Sequence, residues 1–246
     1  MSLYASYAAG FGTDDVSLRN TDLIEAAIAG DRDKAFKALD EGAEIETKRT
    51  EFTALFLAIT HGHFELAREL LQKGANANCR NRSGSGTLHE AVVHGHVELV
   101  RDLLDAGSTV FRRDDWGVTP LMRAAEQNAE GSLACAQLLL DRGADPNSAD
   151  KNQDTALHRA ARRGDAELCS LLLKKGAILG LMNNEGKTAA EMTEDPGIKS
   201  MLESNEINRV LKKADEARAE EAAANAPEGE APAAPAAPAK RRIMKA

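Results

Sequence analysis

No apolar run in this 246-residue chain approaches the roughly 20 residues a bilayer-spanning helix requires, which excludes membrane-spanning helices. Aromatic side chains are scarce, at one Trp, two Tyr and six Phe, and the net charge is −8. A nucleic-acid binder would carry a basic surface and stacking aromatics, so that function class is disfavoured. The three cysteines, Cys79, Cys135 and Cys169, offer neither the C-x-x-C spacing of a metal or redox site nor the even count of a disulfide framework. Cys135 and Cys169 fall on apolar helix faces and are expected to be small buried hydrophobes in a reducing compartment. No dinucleotide, Walker, H-E-x-x-H or nucleophile-elbow pattern occurs. Ser83-Gly84-Ser85-Gly86 resembles a phosphate loop only superficially and reads as a loosened turn. No catalysis, cofactor or metal is expected. Met1 to Asn20 lacks a basic segment ahead of an apolar run, so no secretory signal is read there.

What the chain does have is a register. Gly42-Ala43, Gly74-Ala75, Gly107-Ser108, Gly143-Ala144 and Gly176-Ala177 recur, with 33 residues from Gly74 to Gly107 and from Gly143 to Gly176. A second series keeps step with it: Thr53-Ala54-Leu55-Phe56, Gly86-Thr87-Leu88-His89, Thr119-Pro120-Leu121-Met122, Thr155-Ala156-Leu157-His158 and Thr188-Ala189-Ala190-Glu191. A fixed period of this size means stacked supersecondary units.

The third unit shows what each repeat does. Thr87 to His94 spaces Leu88, Ala91 and Val92 on one helical face, and Gly95 ends that helix. A second helix follows over Val97 to Asp105, expected to bury Val97, Val100, Leu103 and Leu104. Gly107 then takes the left-handed position past its end. In the next unit Pro120 suits a first helical turn, where its missing N–H is no loss. Helices this short are marginal alone, below the ~12–15 residues needed in water, so each must be covered by its neighbours. Ala58, Ala91, Ala124 and Ala160 recur at one position, as close helix packing requires.

These residues resemble the ankyrin repeat, whose pattern is approximately D-x-x-G-x-T-P-L-H-x-A-A-x-x-G-H-x-x-x-V-x-x-L-L-x-x-G-A-D-x-N. Asp114 to Asn147 and Asp150 to Ala177 meet it closely; Lys48 to Asn78 and Asn81 to Ser108 meet it with substitutions. The resemblance implies an all-α repeat protein, an ankyrin-type solenoid of helix–turn–helix units with extended fingertip loops. It covers 16–203, with repeats at about 16–47, 48–80, 81–113, 114–149 and 150–182 and a cap at 183–203. The first unit lacks the Thr-Pro-Leu-His signature, as an N-terminal cap would, and the pattern degenerates around Asp195-Pro196-Gly197. Gly107 to Gly143 is 36 residues, and the three extra ones fall near Asn128 to Ser132, between two helices. Residues 1–15 are expected to be flexible, 204–225 a charged Ala-rich helix, and 226–246 a disordered Ala/Pro-rich tail ending in a basic tip, Lys240 to Lys245.

The resemblance assigns the histidines structural duties. His89 and His158 occupy the signature position, where the imidazole bonds backbone of adjacent loops; His63 and His96 occupy the Gly-His turn. His61 and His94 precede the glycine at an exposed position. One stacking distance, about 8–10 Å, separates them, too far to share a metal held at ~2.0–2.1 Å.

A solenoid of this kind presents a concave face of first helices and fingertips, and side chains not consumed by the pattern can specify a ligand. These are Arg49, Thr50, Phe52, Thr60 and His61 in the second unit; Arg80, Arg82, Ser85, Val93 and His94 in the third. They continue as Arg113, Asp115, Trp116, Val118, Glu126 and Gln127 in the fourth, and Lys151, Asn152, Asp154, Arg162 and Arg163 in the fifth. The strip is mostly basic in an acidic protein, and Trp116 lies beside Phe111, Arg112 and Arg113. Trp and Arg are the residues most enriched in interface hot spots. The expected function is a non-catalytic adaptor or scaffold, monomeric and cytoplasmic, binding a partner protein with acidic and apolar groups. Alternatives are a secreted effector or inhibitor acting on a host protein, a regulatory subunit of an enzyme and, less favoured, a nuclear or nucleic-acid role.

Overall fold

The computed structural model describes residues 15–49 and 51–204, which belong to one compact unit. The expectations for residues 1–14, for the Ala-rich helix from residue 205 and for the tail over 226–246 lie outside the described residues. So does Thr50.

Twelve helices in six pairs make up the described residues: α1 (Asp15–Ala29) with α2 (Arg32–Asp40), α3 (Ala54–Thr60) with α4 (Phe64–Gln72), α5 (Thr87–Val93) with α6 (Val97–Asp105), α7 (Pro120–Glu126) with α8 (Ser132–Asp141), α9 (Ala156–Arg163) with α10 (Ala166–Lys174), and α11 (Ala189–Met192) with α12 (Pro196–Glu203). A short antiparallel ladder, β1 (Lys48–Arg49) against β2 (Phe52–Thr53), is the sheet among the described residues. First helices stack on first helices, from α1 through α3, α5, α7 and α9 to α11, and second helices stack on second helices from α4 to α10.

Sequence dictates these starts locally. Thr53, Thr119 and Thr155 cap the first helices, their hydroxyls accepting from the backbone N–H of Phe56, Met122 and His158. The third unit has Gly86 there instead and no side-chain cap; it keeps only the reverse bond, His89 Nδ1 accepting from Gly86 N at 3.2 Å, as His158 Nδ1 accepts from Thr155 N in the fifth unit. Ala58, Ala91, Ala124 and Ala160 are all fully buried. In α6 the buried face is Leu99, Val100 and Leu103, whereas Val97 and Leu104 are only half-buried. A nine-residue helix allows two such faces one position apart, and the packing selects the one centred on Leu99. Cys135 and Cys169 are buried free thiols, pushed up to about 11 and about 12 by that burial.

The three extra residues lengthen the α7–α8 connection to residues 127–131, and α8 gains a residue over α6 and α10. The loop folds back on the preceding turn: a Cβ on Gly131 would meet Gly95 O at 2.3 Å, and one on Gly95 would meet Glu130 O at 2.3 Å. Asp195-Pro196-Gly197, read from sequence as degeneration, begins a helix. Asp195 is the N-cap of α12, accepting from Gly197 N and Ile198 N, and Pro196 takes the first helical position.

Candidate partner-binding surface

Each fingertip from the third unit onward is organised by one side chain. Asn81 Oδ1 accepts from the N–H groups of Ser83 and Ser85, both at 3.0 Å. Asp114 Oδ1 does the same for Trp116 and Val118, Asp150 Oδ1 for Asn152 and Asp154, and Asn183 Oδ1 for Glu185 and Lys187. This is an Asx turn, in which the side chain stands in for a backbone acceptor. Ser83 to Gly86 is therefore not loosened: it has the same turn as its neighbours, with Ser85 and Gly84 buried. Successive turns are laced by backbone bonds from Asp115 N to Ser83 O, Lys151 N to Trp116 O and Asn184 N to Asn152 O, at 2.8–2.9 Å.

Where the turn residue is Asp, its second oxygen holds an arginine from the following first helix. Asp114 Oδ2 accepts from Arg123 at 3.0 Å, and Asp150 Oδ2 from Arg159. Glu126 joins the two, pairing with Arg123 at 3.1 Å and with Arg159. Arg159 is only 7% exposed. Burial lowers its pKa to about 10, assisted by Arg123 and Arg162, so it stays a cation at neutral pH. Arg162 pairs with Asp154 at 2.8 Å, and Asp154 also accepts from Asn183 Nδ2 at 2.8 Å. Where the turn residue is Asn, the residue nine positions on is Glu90 or Met192, and no arginine is called for.

The candidate residues separate accordingly. Ser85, Val118 and Asp154 are buried and belong to the turns. Arg82 is exposed and pairs with Glu51 at 3.0 Å, and Arg49 sits on β1 opposite Phe52, whose ring lies 5.3 Å from Phe56. His61 and His94 cap α3 and α5 at their C-terminal ends; His61 Nδ1 lies 2.8 Å from Leu57 O, and the His94 ring stands edge-on to Phe64. Thr60 bonds back to Phe56 O, and Val93 is half-buried. Glu126 and Arg162 belong to the ion-pair network, and Gln127 ends α7. Arg163 pairs with Asp165 and reaches Ala124 O, clasping α9 to the neighbouring unit.

A different group stays open. Phe111 is 68% and Trp116 56% exposed, the two largest exposed aromatics among the described residues. Beside them Arg113 donates to Ala149 O at 2.9 Å, and Lys151 hydrogen-bonds through its backbone to Trp116. Among the described residues Arg80, Arg112, Arg113 and Lys151 make no ion pair. Asp115 and Asn152, also exposed, flank Trp116 on its own and the next fingertip. The strip is thus less basic than its composition suggests: the helix-borne arginines are answered internally, and the unanswered cations gather at the fingertips.

The four histidines with structural expectations are bonded as the resemblance implies at two positions: His89 Nε2 lies 3.1 Å from Val118 O and His158 Nε2 3.2 Å from Lys187 O. Burial lowers the His89 pKa to about 4, so the ring is neutral and donates to that carbonyl. His63 Nε2 reaches Ile28 O, and His96 Nδ1 accepts from Leu99 N.

A model of ankyrin repeats matches residues 23–114 and 121–208. The human ankyrin repeat and SOCS box protein 18 is 42% identical over 146 residues, 59% of this chain and 30% of that protein. Neurogenic locus notch homolog protein 1 is 34% identical over 144 residues in Danio rerio and 32% over 154 in Xenopus laevis, in each case 6% of the relative's length. The chain spans less than a third of the curated relatives it matches.

Proposed function

The chain belongs to the ankyrin-repeat family, a family of protein–protein interaction modules, and on that premise we propose that it is a non-catalytic adaptor whose fingertips seize a partner protein. One observation carries the reading: Phe111 and Trp116 stand exposed, with Arg112 and Arg113 between them in the chain and Lys151 bonded through its backbone N–H to the Trp116 carbonyl, and among the described residues none of these cations has an internal carboxylate. An apolar anchor rimmed by charge is the usual anatomy of an interface hot spot. The fitting partner is a segment that offers an apolar side chain to Trp116 and carboxylates to the flanking cations, drawn in by opposite charge. Arg49, Phe52, Arg82, His61 and His94 extend the surface toward the N-terminal units, and Asp115, Glu126, Gln127, Asn152, Arg162 and Arg163 border it.

Affinity capture with wild type beside an Arg113→Glu/Trp116→Ala variant tests the reading. A protein held by wild type and lost by the folded variant supports it. Equal capture by both moves the site elsewhere. Capture of nucleic acid alone, falling steeply with salt, replaces a protein partner with a polyanion.

A further inference from the structure

The outer face of the solenoid changes character halfway along. The same three positions of the second helix carry Glu65, Arg68 and Glu69 in α4 and Glu98, Arg101 and Asp102 in α6. In α8 they are Ala134, Gln137 and Leu138, and in α10 Glu167, Ser170 and Leu171. The charges on α4 and α6 are tied to one another and to α2: Arg68 to Asp102 at 2.5 Å, Arg32 to Glu69 at 2.6 Å. Between α8 and α10 they give way to an open groove of about 650 Å³, walled by Leu133, Ala134 and Leu171 with Glu167 and Lys174 at its two ends. Leu133 is exposed, and among the described residues neither Glu167 nor Lys174 has an ion-pair partner. The adjacent Lys175 does, on Asp141.

We infer that this groove is a self-association surface, occupied by α10 of a second copy packed antiparallel about a two-fold axis. Glu167 and Lys174 are seven residues apart, two helical turns or about 10.5 Å, and so share a face. Reversing one α10 on another pairs Glu167 with Lys174 of the second copy and Lys174 with its Glu167, twice over. Midway, Leu171 of each chain crosses the small Ser170 of the other, which lets the helices approach. An isologous contact must be self-complementary in this way. A groove with one acid and one base at opposite ends suits its own reversed image better than a peptide of one charge sign. The surface lies on the outer helices and is separate from the fingertip anchor, so both can be occupied together. This replaces the monomer expected from sequence with a weak dimer at the small end of specific interfaces.

Sedimentation velocity on the full chain across the micromolar range tests it. Wild type should pass from monomer to dimer with concentration. Glu167→Lys and Lys174→Glu should each weaken the dimer at least tenfold when alone. Mixed in equal amounts, the two should recover it, because each then presents the charges the other lacks. Both positions are exposed, so the folds survive, as unchanged circular dichroism would verify. Trp116→Ala should dimerise as wild type does. A monomer at every concentration overturns the inference. So does a dimer that neither single variant weakens, or a mixture no tighter than its components.

Discussion

The solenoid carries exposed ion pairs along its outer face, continued past α6 by Arg142–Asp105 and Lys175–Asp141, but a buried inner set only in its C-terminal half among the described residues. On the outer face Arg32–Glu69 and Arg68–Asp102 join second helices in contact with water. In the inner set Asp114, Arg123, Glu126, Arg159 and Asp150 tie first helices to fingertips with Asp114 and Asp150 side chains almost wholly buried. The same pairing of Arg with carboxylate carries different consequences in the two places. An exposed pair is worth about 0–1 kcal/mol, because water already solvates both charges. A buried pair adds little net stability over an apolar pair, but removing one partner strands a charge and costs about 3–5 kcal/mol. The outer pairs decorate a stack that would form without them, whereas the inner ones have become conditions for it.

The sharpest way to break that contrast is Asp150→Asn. Asparagine preserves the turn, as Asn81 and Asn183 show, so the change isolates the stranded Arg159. We expect a loss of about 3 kcal/mol in urea unfolding, at the low end because Glu126 still faces the guanidinium. Adding Arg159→Met should recover most of it, since Asn followed nine residues later by Met is the combination present at Asn183 and Met192. A double variant no better than the single one would show that Asp150 acts through the turn. By comparison Arg68→Ala on the outer face should cost less than about 1 kcal/mol, and still less in high salt.

The interior of the third unit is built without charge, and there pH is the probe. His89 is held neutral, its pKa near 4 in the fold against 6.5 in an open chain. Between those values the unfolded chain binds the extra proton, so stability is intact above pH 6.5 and falls as pH drops to about 4. A gap of about 2.5 units corresponds to about 3 kcal/mol at most. Unfolding midpoints over pH 4.5–7 should slope for wild type and flatten in His89→Gln; equal slopes would locate the acid sensitivity elsewhere.

Much of the architecture was legible in the sequence, because a glycine after each of the first five second helices, a threonine before most first helices and an alanine at the closest crossing are each demanded by backbone geometry. The inner network was not read, although its signal was there: Asp114 with Arg123 and Asp150 with Arg159 repeat one nine-residue spacing. Helical periodicity assigns those arginines to a water-facing stripe, and only the fold shows that the fingertip of the same unit folds over them. The partner strip includes Arg162 and Arg163, and the fold shows both already engaged, by Asp154, Asp165 and the Ala124 carbonyl. Trp116 was readable as a candidate anchor because the repeat pattern has no use for an aromatic at that position, whereas the exposure of Phe111 came from the fold.

The smallest expected effect lies at the seam of the charged half. Three residues past each turn-forming Asx the chain enters the left-handed region, at Gly84, Gly117 and Gly186 with φ of 74°, 81° and 75°. The fifth unit has Gln153 at that place, with φ of 60°. A side chain costs roughly 1–2 kcal/mol in that conformation. Glycine would relieve it but brings back about 0.5–1 kcal/mol of unfolded-state freedom. Gln153→Gly should therefore stabilise the protein by no more than about 0.5–1 kcal/mol, read as a small rise in the urea midpoint at unchanged slope. A fall in the midpoint instead would mean that the Gln153 side chain, which reaches toward Asp150 O at 3.4 Å, contributes more than its backbone strain removes. The turn carrying Arg159 would then depend on a contact that the glycine-bearing fingertips do without.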